Sequence, residues 1–223
     1  MNEKMSSVIN TGSTDNVNSA ITLSELIHEI EPVKTSMMAG QTRGERRLLR
    51  NGLYPTVFQG YGRDWCMVAT AHTMTTYYYL IGKTMDNGNA VPRARTLDEI
   101  ASKMGASGNS GASSWHTEQQ YYRDSWSSGG LGLSAFLFNF QGPTLDEIKL
   151  QIQQNNPLKI GTKMQFTNPF GTVPNGHARA CYGYDTTLTE PTVYFSDSYF
   201  YPQEKLTYEV YRNYYYGNSI KMG

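Results

Sequence analysis

From Cys66 to Leu80 the chain runs without glycine or proline, and Cys66, Ala69, Thr70, Thr73, Met74 and Tyr77 recur on adjoining turns. That spacing predicts a helix, and the uninterrupted run makes it the best candidate for a central buried one. Three capping-box patterns, Thr22-x-x-Glu25, Thr96-x-x-Glu99 and Thr144-x-x-Glu147, precede apolar positions at helical spacing. They predict a short helix that Pro32 ends, and helices over about 97–104 and 145–155. A further helix is expected over 116–126, between Gly/Ser-rich loops at 107–114 and 127–132. After residue 156 the pattern changes. Segments 158–164, 178–184, 192–195 and 206–214 are short, β-prone and separated by turn residues. Helices first and antiparallel strands last predict an α+β fold with a helical lobe and a β lobe.

The two ends of this pattern differ. Residues 1–20 have low hydrophobicity and no periodicity, which predicts disorder. Residues 34–50 hold Lys34, Arg43, Arg46, Arg47 and Arg50 against Glu45 alone, and read as a solvated linker or a helix lying on the domain. The expected division is an amino-terminal segment, 1–50, and a folded domain, 51–223. Tyr54 to Phe58 reads as an extended lead-in to a polar turn at 59–64.

Composition narrows the function. Of 223 residues, 39% are hydrophobic, enough for a core, and no run of about 20 apolar residues is present to span a bilayer. Nineteen basic and 19 acidic residues give no net charge, which argues against a nucleic-acid partner held by bulk charge. Only 17% of residues are charged, while tyrosines number 17 and glycines 21, so the surface is polar but weakly charged. His28, His72, His116 and His177 are far apart, and no CxxC or HExxH occurs. No metal and no cofactor is expected. Residues 1–18 lack the apolar stretch of a Sec-type signal peptide.

Two cysteines remain, Cys66 and Cys181. Cys66 opens the central helix, where free backbone N–H groups and the positive end of the helix dipole stabilise a thiolate. The same position suits a small buried hydrophobe. Gln59 lies upstream in the turn, and its amide and the Cys66 N–H are two donors for an oxyanion. His177 enters a strand directly after Gly176, and Asp197 ends the next strand. Two antiparallel strands with a short connection bring these side by side, and a carboxylate there fixes the tautomer of the imidazole. Taken singly, such a histidine is more often structural and such an aspartate more often a turn former. Their order along the chain is what singles them out. Cys181 shares the strand face of His177 by period two, with burial as its plainer role. His72 points to another side of the helix.

This order resembles the papain-like cysteine proteases, in particular staphopain-type enzymes and the related effector proteases of plant pathogens. The resemblance rests on Gln59-Gly60 to Trp65-Cys66, Gly176-His177-Ala178 to Gly183-Tyr184, Tyr194-Phe195-Ser196-Asp197, and the tyrosine-rich end up to Tyr216-Gly217. It covers about residues 54–217. Asp197 stands where staphopains have asparagine, and Trp65 precedes the cysteine that a tryptophan follows in papain. The resemblance implies a papain-like two-lobe fold and a cysteine endopeptidase. Its catalytic residues would be Cys66, His177 and Asp197, its oxyanion donors Gln59 and Cys66, and its cleft would involve Trp65, Tyr199 and His116. Tyr199 would shield the His177–Asp197 bond, with ordinary packing of the β lobe as its plainer role. The substrate would be a polypeptide, with the chain's own amino-terminal segment or a protein inhibitor as further partners, and no nucleic acid or membrane. The site of action would be outside the producing cell or inside another. Residues 1–50 would then be a propeptide, a secretion or chaperone-binding segment, or a tail. An acyltransferase or amidase with the same triad, and a silent binding domain of the same fold, remain alternatives.

Overall fold

A computed structural model describes residues 44–49, 57–59, 63–112, 114–138, 142–163, 176–199 and 204–223. The expectations for residues 1–43, for 54–56 and for the turn at 60–62 lie outside the described residues. Cys66–Leu80 form helix α1, at the bounds its uninterrupted pattern predicts. Burial runs over Val68–Ala71, Thr73–Thr75 and Tyr77–Tyr78, nearly all round the helix, so no polar stripe alternates with an apolar one. Two contacts engage buried polar or sulfur atoms of this helix. Thr75 Oγ1 and Tyr121 Oη lie 2.7 Å apart, and Tyr122 Oη donates to Met74 Sδ at 3.4 Å.

Helices α2 (Leu97–Met104) and α3 (Trp115–Arg123) pack on α1, and α4 (Leu145–Gln153) packs on the sheet. All three open with capping boxes, built on Thr96 with Glu99, Ser114 with Thr117, and Thr144 with Glu147. The helix expected over 116–126 ends at Arg123, and a single 3-10 turn, Trp126–Ser128, follows it.

Among the described residues seven strands form one sheet: β1 (Arg46–Leu48), β2 (Ala135–Phe138), β3 (Leu158–Thr162), β4 (His177–Asp185), β5 (Thr192–Ser196), β6 (Glu204–Thr207) and β7 (Ser219–Met222). Every pairing is antiparallel, in the order β2-β7-β3-β4-β5-β6. β3 and β4 are buried along their whole length. β3 borders β4 from His177 to Cys181, and β1 borders it from Gly183 to Asp185. The two short strands thus share one flank of β4, and β5 takes the other. The fold is the expected α+β class, of papain-like type.

Three expectations are corrected. Arg46–Leu48, read as linker or helix, is a strand. Its pairing with β4, an Arg46–Asp185 ion pair at 3.7 Å and the burial of Leu49 (1% exposed) are long-range interactions that three residues cannot announce. The folded unit accordingly extends to residues before 51. Second, β6 stops at Thr207, whose Oγ1 accepts from Val210 N at 3.3 Å and opens helix α5, Tyr208–Tyr214. A cap and the burial of Tyr211 override the β preference of tyrosine. Third, strands are not confined to the end of the chain, since β1 and β2 join the sheet from earlier positions.

Candidate active site

Each residue singled out in the sequence stands at the end of an element. Cys66 is the first residue of α1, His177 is the first of β4, and Asp197 directly follows β5. The register that sets Ala180 opposite Ser196 brings the residue after β5 back toward the start of β4. His177 Nε2 and Asp197 Oδ1 meet at 2.8 Å, with both side chains buried. The thiol of Cys66 lies beside the imidazole of His177, close enough for the two groups to shift each other's protonation, and near the backbone of Ala178. Nε2 is taken by Asp197; Nδ1 is buried, makes no aligned hydrogen bond, and is the nitrogen left over for the sulfur.

The segment Asp197-Ser198-Tyr199 holds several of these parts together. Tyr199 N donates to Asp197 Oδ1 at 2.8 Å, and the Tyr199 ring stacks on His177 at 4.9 Å between centroids. Ser198 Oγ donates to Gln59 Oε1 at 2.7 Å, and Gln59 N donates to the Ser198 carbonyl at 3.3 Å. This anchoring fixes which way the buried Gln59 amide faces. One N–H of Nε2 goes to the Arg63 carbonyl, and an amide carries a second. The start of α1 contrasts with the other described α-helices, each of which has a side-chain cap and an acidic residue in its first turn. Its preceding residue, Trp65, makes no side-chain cap, and its first turn holds no acidic residue. The amino-terminal N–H groups and their positive field are therefore left available to an anion.

Electrostatics separate the charges. Burial pushes the Cys66 thiol up, but the hydrogen bond and charge of His177, the Ala178 backbone and the nearby Lys159 outweigh it, and the thiol ends below its ordinary value. Burial also opposes the charging of His177, yet the bonds and charges of Asp197 and Cys66 raise it to about 9. Asp197 pays for desolvation, and its contacts with His177, Arg179 and Tyr199 N still hold it at about 2. Sulfur and imidazole together favour a thiolate–imidazolium pair. Cys181 is the opposite case: fully buried, with its Sγ 3.7 Å from the Gly183 carbonyl, it is pushed up to about 12 and stays a thiol.

Trp65 and His116 do not join this cluster. Trp65 is 4% exposed, part of the core, and its Nε1 donates to the Ser110 carbonyl at 3.1 Å, so it anchors a loop rather than lining a cleft. His116 is exposed on α3 with its ring against Trp115. A surface hollow of about 380 Å³, lined by Pro191, Thr207, Tyr208 and Arg212 among others, lies at the opposite end of β5 from Asp197. Among the described residues no group of three His, Cys, Asp or Glu is placed to hold a metal ion.

Sequence reading missed four charged neighbours. Arg179 Nε lies 2.6 Å from Asp197 Oδ2, and its Nη1 lies 3.1 Å from Glu204 Oε2. Lys159 Nζ lies 3.0 Å from Glu118 Oε2 and donates to the Asn218 carbonyl at 2.8 Å, with both charges buried. Arg179 was within reach of the period-two rule, which links it to His177 as directly as it links Cys181. Glu118 gives no such signal, because one turn of α3 decides whether it faces water or β3.

A mixed α+β fold with a cysteine at the mouth of its central helix and a histidine at the start of a sheet strand defines a cysteine peptidase of papain-like type. Residues 51–220 match the model of the Peptidase_C39 like family. The chain belongs to that family, and the match is to it rather than to the staphopain-type enzymes. Among solved structures, the chain is similar to one described as a C39-like peptidase from Bacillus anthracis. That likeness has a TM-score of 0.52 and 16% identity, and covers 80% of this chain and 98% of the other. Comparison with curated protein sequences returns no match.

Proposed function

We propose that the chain is a thiol endopeptidase with Cys66 as nucleophile, His177 as acid–base and Asp197 as the group that orients it. The Cys66 thiolate attacks a peptide carbonyl, forming a C–S bond and an oxyanion held by the Cys66 N–H and the Gln59 amide. The His177 imidazolium gives its proton to the leaving amine as the C–N bond breaks, which leaves a thioester. Neutral His177 then takes a proton from water, whose oxygen attacks the thioester and releases the acid and the thiolate. Tyr199 covers one face of the imidazole. Substrates are polypeptides, and the amino-terminal segment or a separate protein inhibitor would regulate access. Action outside the producing cell, or inside another, fits a peptidase that its maker must tolerate.

The observation that carries this reading is the Cys66–His177 contact, with His177 held by Asp197 at 2.8 Å. An epoxide inhibitor of thiol proteases, E-64, should label Cys66 stoichiometrically, and His177→Ala should abolish labelling. Cys66→Ala should abolish cleavage of a peptide mixture while leaving the melting temperature within a degree or two. Absence of labelling under reducing conditions would favour a silent binding domain. Amine adducts in the product masses would instead indicate acyl transfer.

A further inference from the structure

His177 uses only one oxygen of Asp197. Oδ1 takes both the imidazole and the Tyr199 N–H, and Oδ2 faces Arg179 Nε at 2.6 Å. Arg179 is two residues beyond His177 on β4, on the same face by strand alternation. Its guanidinium is 3% exposed and reaches on to Glu204, at the start of β6, at 3.1 Å. Both contacts are close ion pairs rather than aligned hydrogen bonds. Four charged groups from β4, β6 and the residue after β5 thus cluster, His177, Asp197, Arg179 and Glu204, with Glu204 close enough to Asp197 to be pushed up by it as well as paired with Arg179.

Charge counting shows what the chain of groups does. An imidazolium that faces both a thiolate and a buried carboxylate leaves one anion uncompensated, which in a low-dielectric site disfavours the thiolate. Arg179 supplies the missing cation on the far oxygen of Asp197. Glu204 is 18% exposed, so its charge partly offsets Arg179 through water-screened surroundings. The remaining charge near the pair is Lys159 from β3, which also favours the thiolate and is itself paired with Glu118 from α3 at 3.0 Å. A buried guanidinium is costly unless its charge is matched, and here the match is the carboxylate that orients His177.

We propose that Arg179, backed by Glu204, is a positioning residue that fixes Asp197 and balances its charge, and so sets the pH range over which the Cys66–His177 ion pair exists. The proposal rests on the peptidase reading above and concerns a function of Arg179 that the triad alone does not require.

The test is the pH dependence of Cys66 alkylation by iodoacetamide in the full chain, followed by peptide mass, with melting curves for every variant. Arg179→Met should move the acid limb of the profile to higher pH by about one unit, roughly a tenfold slower alkylation on that limb. Asp197→Asn added to Arg179→Met should bring the profile back toward the unsubstituted protein, because a neutral amide needs no counter-cation. Glu204→Gln should shift the limb the other way. A purely structural Arg179 would give a loss that Asp197→Asn does not repair. An unshifted limb in folded Arg179→Met, or a double variant no better than the single one, would overturn the proposal. If Arg179→Met does not fold, Glu204→Gln decides, and an unshifted profile there overturns it. Failure of the peptidase reading looks different: Cys66 then reacts like a free thiol in the unsubstituted protein, and the proposal falls with it.

Discussion

Cys66, His177 and Asp197 carry charge within one bond or contact of each other, and their protonation windows set how the site responds to pH. His177 is raised from 6.5 to about 9, against the effect of burial, by Asp197 and Cys66. A raised base contributes stability that is complete below 6.5 and is lost as pH rises through about 9. Asp197 is lowered from 3.8 to about 2, and its contribution is complete above 3.8 and is lost as pH falls through about 2. Both contributions are therefore whole between about pH 4 and 6.5. Peptidase activity needs the imidazolium, so its alkaline limb should lie near pH 9. Asp197→Asn keeps an oxygen that accepts from Nε2–H but removes the charge. The alkaline limb should then move down by about one unit, and the rate at its optimum should fall far less than in Cys66→Ala. A pH–rate profile with a fluorogenic peptide checks this. An Asn variant as dead as the Ala variant at Cys66 would assign Asp197 another role.

Elements differ in how openly the sequence announces them, and the reason is the range of the interactions that make them. α1, α2 and α4 are legible because their signals are local: an unbroken apolar run, or a Thr-x-x-Glu box at the start. β1, β2 and β7 are three or four residues long and exist through partners far away in the chain, so no window of sequence contains their cause. The site shows the same division. Cys66, His177 and Asp197 are marked by their place at element ends, whereas the Lys159–Glu118 pair joins β3 to α3 across a gap that only packing closes. That pair has its own consequence. Glu118 is fully buried and pushed upward by burial, which Lys159 only partly offsets. Lys159→Met would leave the carboxylate without its cation, at a cost of about 3–5 kcal/mol at neutral pH. The loss should shrink toward acid pH, where Glu118 takes up a proton, and should be much smaller in Lys159→Met combined with Glu118→Gln. Urea titrations at two pH values measure it; equal losses in single and double variants would show that the pair does not act as a pair.

On the scale of the whole molecule, the sheet is assembled from both ends of the folded unit. β7, the last strand, lies between β2 and β3, and β1, among the first described residues, closes the flank of β4 that β3 leaves open. Gly183 is required at that seam, because a Cβ there would meet the Leu48 side chain at 2.3 Å and the Arg47 carbonyl at 2.9 Å. The seam adds real stability. Leu49 is buried and its N–H donates to the Tyr182 carbonyl at 2.8 Å, and Thr186 N donates to the Glu45 carbonyl at 2.8 Å. One buried leucine with a few backbone bonds is worth about 3 kcal/mol. In a unit of this size that corresponds to roughly 6–12 °C of melting temperature. A chain that starts at Asn51 should therefore melt that much lower than one that also carries residues 42–50. Its E-64 labelling, measured well below the melting temperature, should be nearly unchanged. β1 meets β4 only at Gly183 to Asp185, whereas the contact with Cys66 is made by His177 at the other end of the strand. Equal melting temperatures would show that β1 is not an integral strand of the domain. A lost reaction at Cys66 in a chain that is still folded would show that the two ends of β4 are coupled more tightly than their separate partners imply.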